Sequence, residues 1–365
     1  MEATFAKRDM QNALGLLARV AEAKSTMPVL ANVLLKVEGD RMALHATDLY
    51  LALVGGIAIT KGKSGSFAIP AKELLDRVKN MPDGPLTLVV DDNRATLRGE
   101  GKARKFTLRT MPGQDYPPVP VPSADAPSMK ISAAVLGGLI DRVFGAISTD
   151  ETRAHLNSAL FEWEGDTLRA VATDGHRLHL TEVKTPGNQG NLTMLIPRKG
   201  VAELRRLCDT TDEITISQSG SSAFFIADMT FAVKLVDATF PPYAQVIPKV
   251  TTCEVVVSAA AFKDTMRAVA ISANARTGGV QVQFAKGSTI IVKASDPEQG
   301  ESEDSIESET EWTGKPVAIG MNAAYVIAAC DAIGDGSMTL GVSGELDPVL
   351  VTCGDSKFVI MPLRI

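Results

Sequence analysis

The residues that could do chemistry lie close together in the middle of the chain. Asp174, His176 and His179 fall within six positions, and an aspartate beside two histidines could bind a metal ion or transfer protons. Either activity needs further ligands or a positioned nucleophile, and the sequence offers neither. We therefore predict that this segment is not catalytic. An enzyme or ligand-binding protein that uses the Asp174–His176 cluster is the alternative.

The cysteines also predict no metal centre. The four cysteines, at positions 208, 253, 330 and 353, are far apart, whereas zinc sites draw paired ligands from neighbouring positions. We expect buried, free thiols, and neither a metal ion nor another cofactor.

The aspartate of the central segment belongs to a phrase that occurs three times. Asp48, Asp174 and Asp296 are 126 and 122 positions apart, and each follows an alanine and a hydroxyl residue. The phrases are Ala46-Thr47-Asp48-Leu49, Ala172-Thr173-Asp174-Gly175 and Ala294-Ser295-Asp296-Pro297. Repetition of this kind indicates tandem structural units.

A second landmark repeats in the same order and supports the same division. Ile69-Pro70-Ala71-Lys72, Ile196-Pro197-Arg198-Lys199 and Ile319-Gly320-Met321-Asn322 each open a helical pattern. Proline-rich stretches at 116–122 and 241–249 stiffen the connections between units. The repeats predict three homologous domains, at residues 1–122, 123–249 and 250–365.

Each unit combines many short β-segments with two amphipathic helices. Met10, Leu14 and Leu17 form an apolar stripe on the first helix, and the same reasoning predicts that Val135 and Leu139 face the core in the second unit. Short strands punctuated by turns indicate an α+β domain with antiparallel sheets. The helices should cover one sheet face and turn their polar stripes outward.

The composition is that of an ordinary globular protein. Hydrophobic residues make up 45% of the 365 positions, and no apolar run approaches the roughly 20 residues that span a bilayer. No signal-peptide pattern follows the first charges, so we expect a cytoplasmic protein without a membrane partner. The net charge of −6 argues against DNA binding by bulk charge, unless the cations gather on one surface.

The predicted helices do gather cations on the faces opposite their apolar stripes. The recurrence of this pattern in five of six helices favours a DNA-facing surface over an ordinary solvated helix face. The DNA-facing residues predicted are Arg8, Arg19, Lys24, Lys72, Arg77, Lys79, Arg142, Arg198, Lys199, Arg205, Arg206, Lys263 and Arg267.

In combination, these motifs resemble a known family over the whole chain. The triplicated unit, the segment Ala172-Thr173-Asp174-Gly175-His176-Arg177-Leu178, Ile196-Pro197-Arg198-Lys199-Gly200 and the C-terminal Val359-Ile360-Met361-Pro362-Leu363-Arg364-Ile365 are similar to those of the bacterial DNA polymerase III beta subunits, the sliding clamps. The resemblance implies three tandem clamp domains and a head-to-tail homodimer, a six-domain ring with helices inside and sheets outside.

The resemblance also implies function and partners. A ring of this family encircles duplex DNA without reading its sequence, as phosphate attraction allows, and acts as a non-enzymatic processivity factor of the DNA polymerase III holoenzyme. Its implied partners are the replicative polymerase alpha subunit, the clamp-loader delta subunit, translesion polymerases, mismatch-repair proteins and ligase, all bound through short peptides. Its location would be the cytoplasm, in association with the nucleoid.

By matching position, the resemblance implies an apolar groove for those peptides. Gln245 stands where some members of the family have a cation, which leaves the ligand preference open. The groove residues are Leu156, Thr173, Gly175, His176, Arg177, Leu178, Pro241, Val246, Leu346, Pro348, Val359, Ile360, Met361, Pro362 and Leu363.

Two charged segments form the predicted dimer interface. A basic stretch in the first unit and an acidic run in the third would pair across the ring, because opposite charges fix the orientation of a head-to-tail contact. The basic and apolar residues are Lys102, Arg104, Lys105, Phe106, Leu108 and Ile271, and the acidic residues are Glu298, Glu301, Glu303 and Asp304. A repeat scaffold that binds proteins without encircling DNA is a further alternative.

Overall fold

The computed structural model describes residues 1–21, 26–91, 93–101, 103–186 and 190–364. In that part of the chain the α-helices are α1 (Lys7–Val20), α2 (Ala71–Lys79), α3 (Ala133–Phe144), α4 (Arg198–Cys208), α5 (Ala259–Val269) and α6 (Ala323–Ile333). Each third of the chain therefore contributes two helices, which confirms the predicted repeat of helices and sheets.

The strands are mostly short and follow one another as hairpins. In the first third they are β1 (Glu2–Ala6), β2 (Asn32–Glu38), β3 (Arg41–Thr47), β4 (Leu51–Ala58), β5 (Lys61–Lys63), β6 (Gly65–Pro70), β7 (Pro85–Asp91), β8 (Arg94–Gly99), β9 (Lys105–Arg109) and β10 (Met111–Pro112). In the second they are β11 (Ser128–Ser132), β12 (Ser158–Gly165), β13 (Thr167–Thr173), β14 (Arg177–Lys184), β15 (Gly190–Pro197), β16 (Glu213–Ser219), β17 (Ser222–Ile226) and β18 (Thr230–Lys234). In the last they are β19 (Cys253–Ser258), β20 (Gly279–Phe284), β21 (Gly287–Asp296), β22 (Gly300–Trp312), β23 (Val317–Asn322), β24 (Ser337–Val342), β25 (Val349–Cys353) and β26 (Ser356–Ile360).

The chain divides into two compact units, one of residues 1–130 and 213–234 and the other of residues 131–212 and 235–365. The first contains a five-stranded sheet in the order β5-β1-β7-β8-β9 and a nine-stranded sheet in the order β10-β6-β2-β3-β4-β18-β17-β16-β11. The second contains an eight-stranded sheet in the order β15-β12-β13-β14-β26-β25-β24-β19 and a four-stranded sheet in the order β22-β21-β20-β23.

The larger sheet of each unit joins strands from neighbouring thirds of the chain. In the first unit β4 pairs antiparallel with β18, with Ala52 opposite Ala232. In the second unit β14 pairs antiparallel with β26, with Leu178 opposite Val359. This sharing of strands explains why the middle third is divided between the two units.

The apolar helix stripes form the core, with one difference from prediction. Met10, Leu14 and Leu17 are fully buried, as their spacing predicts. The prediction for Val135 is wrong, since its side chain is 38% exposed. The buried residues of α3 are instead Leu136, Leu139, Ile140 and Val143. Leu136 starts an i, i+3, i+4, i+7 stripe on α3, and Val135 lies about 100° away from it around the helix.

Candidate functional site

The repeated aspartate closes the turn that follows a strand. Asp174 Oδ1 accepts hydrogen bonds from the backbone N–H groups of His176 and Arg177, both at 3.0 Å. Its Oδ2 accepts a bond from Arg177 Nε at 3.1 Å. The carboxylate is therefore occupied by its own turn, the role that aspartate commonly plays in such loops.

The same bonds recur in the other two repeats. Asp48 Oδ1 accepts from the amides of Tyr50 and Leu51 at 2.9 and 2.6 Å. Asp296 Oδ1 accepts from the amides two and three positions later, at 2.9 and 3.2 Å. The repeated sequence of alanine, threonine or serine, and aspartate therefore marks a turn in each of the three repeats.

The two histidines do not share a site. His176 is exposed at the turn, whereas His179 is completely buried on the opposite face of β14. His179 Nδ1 lies 2.9 Å from the carbonyl oxygen of Arg142, and burial lowers the pKa of its imidazole to about 4. Across the described residues, no group of three or more His, Cys, Asp or Glu side chains is placed to hold a metal ion.

The pairing of β14 with β26 brings two of the predicted groove segments together. The Met361 N–H donates to the carbonyl oxygen of His176 at 2.9 Å, so the turn after Asp174 lies beside the C-terminal segment. The Leu363 N–H donates to the carbonyl oxygen of Gly320 at 2.7 Å, which holds the last described residues against β23. Residues about 185 positions apart thus form one surface.

The rim of this surface includes a residue that the sequence analysis missed. The rings of His176 and Tyr325 stack with centroids 6.3 Å apart and an interplanar angle of 15°. The Arg177 guanidinium carbon lies 4.6 Å from the centroid of the Tyr325 ring, a cation–π distance. Burial raises the pKa of the Tyr325 hydroxyl. The signal available in the sequence was a lone aromatic residue in helix α6, whose other residues are small or aliphatic apart from Asp331.

Apolar side chains form both the floor and the exposed part of the surface. Leu178 and Val359 are buried in a cluster on one face of the eight-stranded sheet. Val246, Leu346 and Met361 are 48%, 62% and 40% exposed. Of the other groove residues, Gly175 is exposed, while Pro241, Pro348, Pro362 and Leu363 are half-buried.

Three further predicted groove residues are largely buried. Ile360 belongs to the buried core beneath the sheet, because it alternates with Val359 along β26. Leu156 is 6% exposed. The Thr173 hydroxyl donates to the carbonyl oxygen of Arg177 at 2.6 Å and so supports the turn. We therefore correct Ile360 from a lining to a supporting residue, while Leu156 and Thr173, which are no more buried than Leu178 and Val359, stay predicted groove residues.

The helix faces carry fewer unneutralised cations than the sequence predicted. Several of the predicted DNA-facing residues form ion pairs with carboxylates of their own domain. These are Arg77 with Glu73 at 3.2 Å, Arg205 with Asp141 at 2.7 Å and Asp209 at 2.6 Å, Arg206 with Glu203, and Lys263 and Arg267 with Asp331 at 3.0 and 3.8 Å.

Arg198 was predicted to be an exposed cation, and that prediction is wrong. Its Nη1 donates to the carbonyl oxygen of Ile147 at 2.6 Å, and its guanidinium carbon lies 4.5 Å from the centroid of the Phe144 ring. The side chain satisfies carbonyl groups that follow α3. Burial lowers the pKa of Arg198, with a smaller effect from Arg177.

The remaining predicted cations are exposed. Among the described residues, no ion pair is formed by Arg8, Arg19, Lys72, Lys79 or Arg142, and Lys199 is exposed as well. They lie on α1 to α4 or at the ends of these helices. Lys24 lies outside the described residues.

The two charged segments of the predicted dimer interface lie on edge strands. β9, with Arg104 just before it and Lys105 at its start, is the terminal strand of the five-stranded sheet. β22, which carries Glu301, Glu303 and Asp304, is the terminal strand of the four-stranded sheet. Edge strands present unpaired backbone groups to a partner. Lys102 lies outside the described residues, and Glu298 is exposed just before β22.

The apolar residues assigned to this interface differ in position. Ile271 is 77% exposed, and the neighbouring Ser272 hydroxyl lies 2.6 Å from that of Ser302 at the start of β22. Leu108 is only 3% exposed and Phe106 is half-buried, since both point to the inner face of their sheet. Leu108 is thus buried within the single chain, and its place in the interface stays a prediction.

No helix in the described ranges has the length and apolar character needed to cross a membrane.

Comparison with known proteins places these features in one class. Family models of the DNA polymerase III beta subunit match the chain at residues 1–120 (N-terminal domain), 130–242 (central domain) and 244–364 (C-terminal domain). The beta sliding clamp of Pseudomonas aeruginosa is 33% identical, and that of Caulobacter vibrioides 32%, each over the full length of both proteins.

Solved structures agree with this class. The DNA polymerase III subunit beta from Pseudomonas aeruginosa superposes with a TM-score of 0.94 at 32% identity, covering all of both chains. The sliding clamp from Bartonella birtlesii, bound to griselimycin, gives 0.92 at 30% identity with the same coverage. The class is a DNA clamp of three tandem domains. The chain belongs to the DNA polymerase III beta subunit family, the non-catalytic beta sliding clamps that serve as processivity factors in DNA replication.

Proposed function

We propose that two copies of the chain close head to tail into a ring around duplex DNA and tether replication and repair proteins through the apolar surface beside Asp174. The observation that carries the tether is that Val246 and Met361, which are 48% and 40% exposed, lie within two positions of Ile247, which packs against the buried apolar cluster, and of Val359, which belongs to it, respectively. An exposed apolar patch with a polar rim is typical of a peptide-binding site. The ligands we propose are short peptides of the replicative polymerase alpha subunit, the clamp-loader delta subunit, translesion polymerases, mismatch-repair proteins and ligase.

The DNA-facing role is assigned to the exposed helix cations. Arg8, Arg19, Lys72, Lys79 and Arg142 are the strongest candidates, since they have no carboxylate partner among the described residues. Contacts of this kind to phosphate do not depend on base sequence, so they leave the protein able to slide. The paired cations are secondary candidates.

The dimer contact is assigned to β9 of one copy and β22 of the other. The positive charges of Arg104 and Lys105 complement Glu301 and Asp304, and Ile271 supplies apolar surface. Opposite charges on two edge strands favour one register and one orientation. The domain boundaries at 122 and 249, and a cytoplasmic, nucleoid-associated location, belong to the same proposal.

The groove assignment can be tested with griselimycin, which is bound in clamp structures of relatives from Pseudomonas aeruginosa and Bartonella birtlesii. We expect the wild-type chain to bind it in isothermal titration calorimetry. Val246→Asp should weaken binding at least about tenfold, because it places a charge in an apolar contact.

Val121→Asp is the matched control for this experiment. Val121 is 75% exposed on the proline-rich stretch of the first unit, outside the proposed groove. The Val121→Asp variant should bind griselimycin as the wild type does. Equal loss of binding in both variants, or none in Val246→Asp, would contradict the groove assignment.

A further inference from the structure

The connecting stretch between the second and third domains (residues 235–252, between β18 and β19) packs along the apolar floor of the proposed groove. Phe240, Tyr243 and Ile247 pack against the cluster that contains Leu178 and Val359. The stretch is fastened to the sheet near its start by the N–H of Val236, which donates to the carbonyl oxygen of Leu195 at 2.9 Å. Two of the proposed groove residues, Pro241 and Val246, lie on this stretch.

A polar network fastens the middle of the same stretch. The Tyr243 hydroxyl donates to Glu162 Oε2 at 2.6 Å and accepts from Arg169 Nη1 at 3.3 Å. Arg169 Nε also donates to Glu182 Oε2 at 3.1 Å. Burial, followed by the contact with Glu162, raises the pKa of the Tyr243 hydroxyl to about 12, so the hydroxyl keeps its proton at neutral pH.

The network is built into the register of three adjacent strands. Glu162 on β12 is directly opposite Arg169 on β13, and Arg169 is directly opposite Glu182 on β14. Directly opposite residues point to the same face of the sheet. The three side chains are therefore held in a row by the backbone ladder, and Tyr243 closes the row at the connecting stretch.

Tyr243 also holds the groove residues on either side of it. The Tyr243 N–H donates to the carbonyl oxygen of Pro241 at 2.7 Å, and the Val246 N–H donates to the carbonyl oxygen of Tyr243 at 3.2 Å. Val246 is 48% exposed, so its own side chain gives it little support. The position of Val246 consequently depends on the turn that begins at Tyr243.

We propose that Glu162, Arg169 and Tyr243 form a positioning network that fixes the connecting stretch as one wall of the peptide groove. This inference rests on the groove proposed above. None of the three is assigned to direct contact with the ligand. Their effect is to hold Pro241 and Val246 in the binding arrangement before the ligand arrives, which reduces the ordering cost of binding.

Removal of one hydroxyl tests the network. In Tyr243→Phe the ring keeps its packing and the bonds to Glu162 and Arg169 are lost. We expect griselimycin to bind about threefold to tenfold more weakly in calorimetry, which is part of what a hydrogen bond to a charged group contributes. Glu162→Gln, which keeps an acceptor for the hydroxyl, should bind more tightly than Glu162→Ala.

Tyr116→Phe provides a control that separates positioning from general stability. Tyr116 lies on the proline-rich stretch of the first unit, and its hydroxyl accepts from the Thr47 N–H at 3.1 Å and donates to the carbonyl oxygen of Asn32 at 3.2 Å. We expect a similar fall in melting temperature in both Phe variants, and weaker binding only in Tyr243→Phe. Wild-type affinity in Tyr243→Phe, or equal weakening in Tyr116→Phe, would overturn the proposal.

The two proposals can fail separately. If Val246→Asp abolishes binding while Tyr243→Phe binds as the wild type does, the groove stands and the network does not. If Val246→Asp binds as the wild type does, the groove itself is wrong, and the network has no function to support.

Discussion

At the scale of single residues, the segment that first indicated chemistry has a structural role. Asp174 uses one carboxylate oxygen for two backbone amides and the other for Arg177. His176 is left at the surface, where it stacks on Tyr325. In the proposed groove the turn would present its side chains to a ligand, and its aspartate supports the turn through hydrogen bonds.

Substitution of Asp174 should therefore lower stability. We expect Asp174→Ala to reduce the free energy of unfolding of its unit by about 1–2 kcal/mol, because the amides of His176 and Arg177 lose their acceptor. Asp174→Asn keeps an oxygen that can accept both bonds and should cost less. Urea denaturation followed by circular dichroism measures the difference.

The control for this prediction is a surface aspartate whose carboxylate accepts hydrogen bonds from two side chains, those of Lys184 and Thr167. Asp166 pairs with Lys184 at 2.9 Å on the surface, and surface ion pairs contribute little. Asp166→Ala should shift the transition by no more than a few tenths of a kcal/mol. An Asp174→Ala protein as stable as Asp166→Ala would show that the turn bonds are unimportant.

At the scale of secondary-structure elements, the ends of the sheets decide how copies associate. β9 and β22 each have one edge without a strand partner in their sheet. Their charges are opposite, although Glu303 is partly neutralised by Lys293 at 2.7 Å. We expect the two edges to pair in the dimer and to extend the sheets from one copy to the next.

Charge reversal on β9 should produce monomers. In Arg104→Glu with Lys105→Glu, like charges would face Glu301 and Asp304 across the interface, and the sedimentation coefficient should fall to the monomer value. Adding Glu301→Lys and Asp304→Lys should restore the dimer, because the signs are again complementary.

The other edge of the same sheet supplies the control. Lys61 and Lys63 are exposed on β5, at the edge of the five-stranded sheet opposite to β9. Reversing both charges should leave the dimer intact. A β9 double variant that still sediments as a dimer would refute this interface.

The sequence predicted the elements better than the directions of their side chains. The repeats and apolar stripes predicted six helices and antiparallel sheets, because these depend on local periodicity. Val135 was misassigned since its i, i+4 spacing to Leu139 fits a core stripe, and only the packing of α3 shows that the buried stripe begins at Leu136. Arg198 was misassigned because its acceptors lie about 50 positions earlier in the chain.

The candidate site was predictable in outline and not in mechanism. The resemblance implied the groove segments, and the pairing of β14 with β26 shows how two of them come to lie side by side. The row of Glu162, Arg169 and Glu182 could not be found in the sequence, because it depends on the register of three strands and on where Tyr243 crosses them. Register and long-range crossings leave no local pattern.

At the scale of the whole molecule, charge is distributed unevenly. The chain carries a net charge of −6, yet exposed cations without a partner among the described residues recur on its helices, while acidic residues line β22. An acidic protein can bind DNA only where its cations are collected, and a ring holds DNA by enclosing it rather than by affinity. The proposed function therefore depends on closure of the ring.

Electron microscopy of the purified protein, negatively stained, tests that closure most directly. If two chains close head to tail, the particles should be annular, with an open centre and six similar lobes. The charge-reversed β9 variant should give curved, three-lobed particles under the same conditions. The concentration should be high enough that sedimentation shows no further association. Three-lobed particles from the wild-type chain under those conditions would contradict the proposed ring.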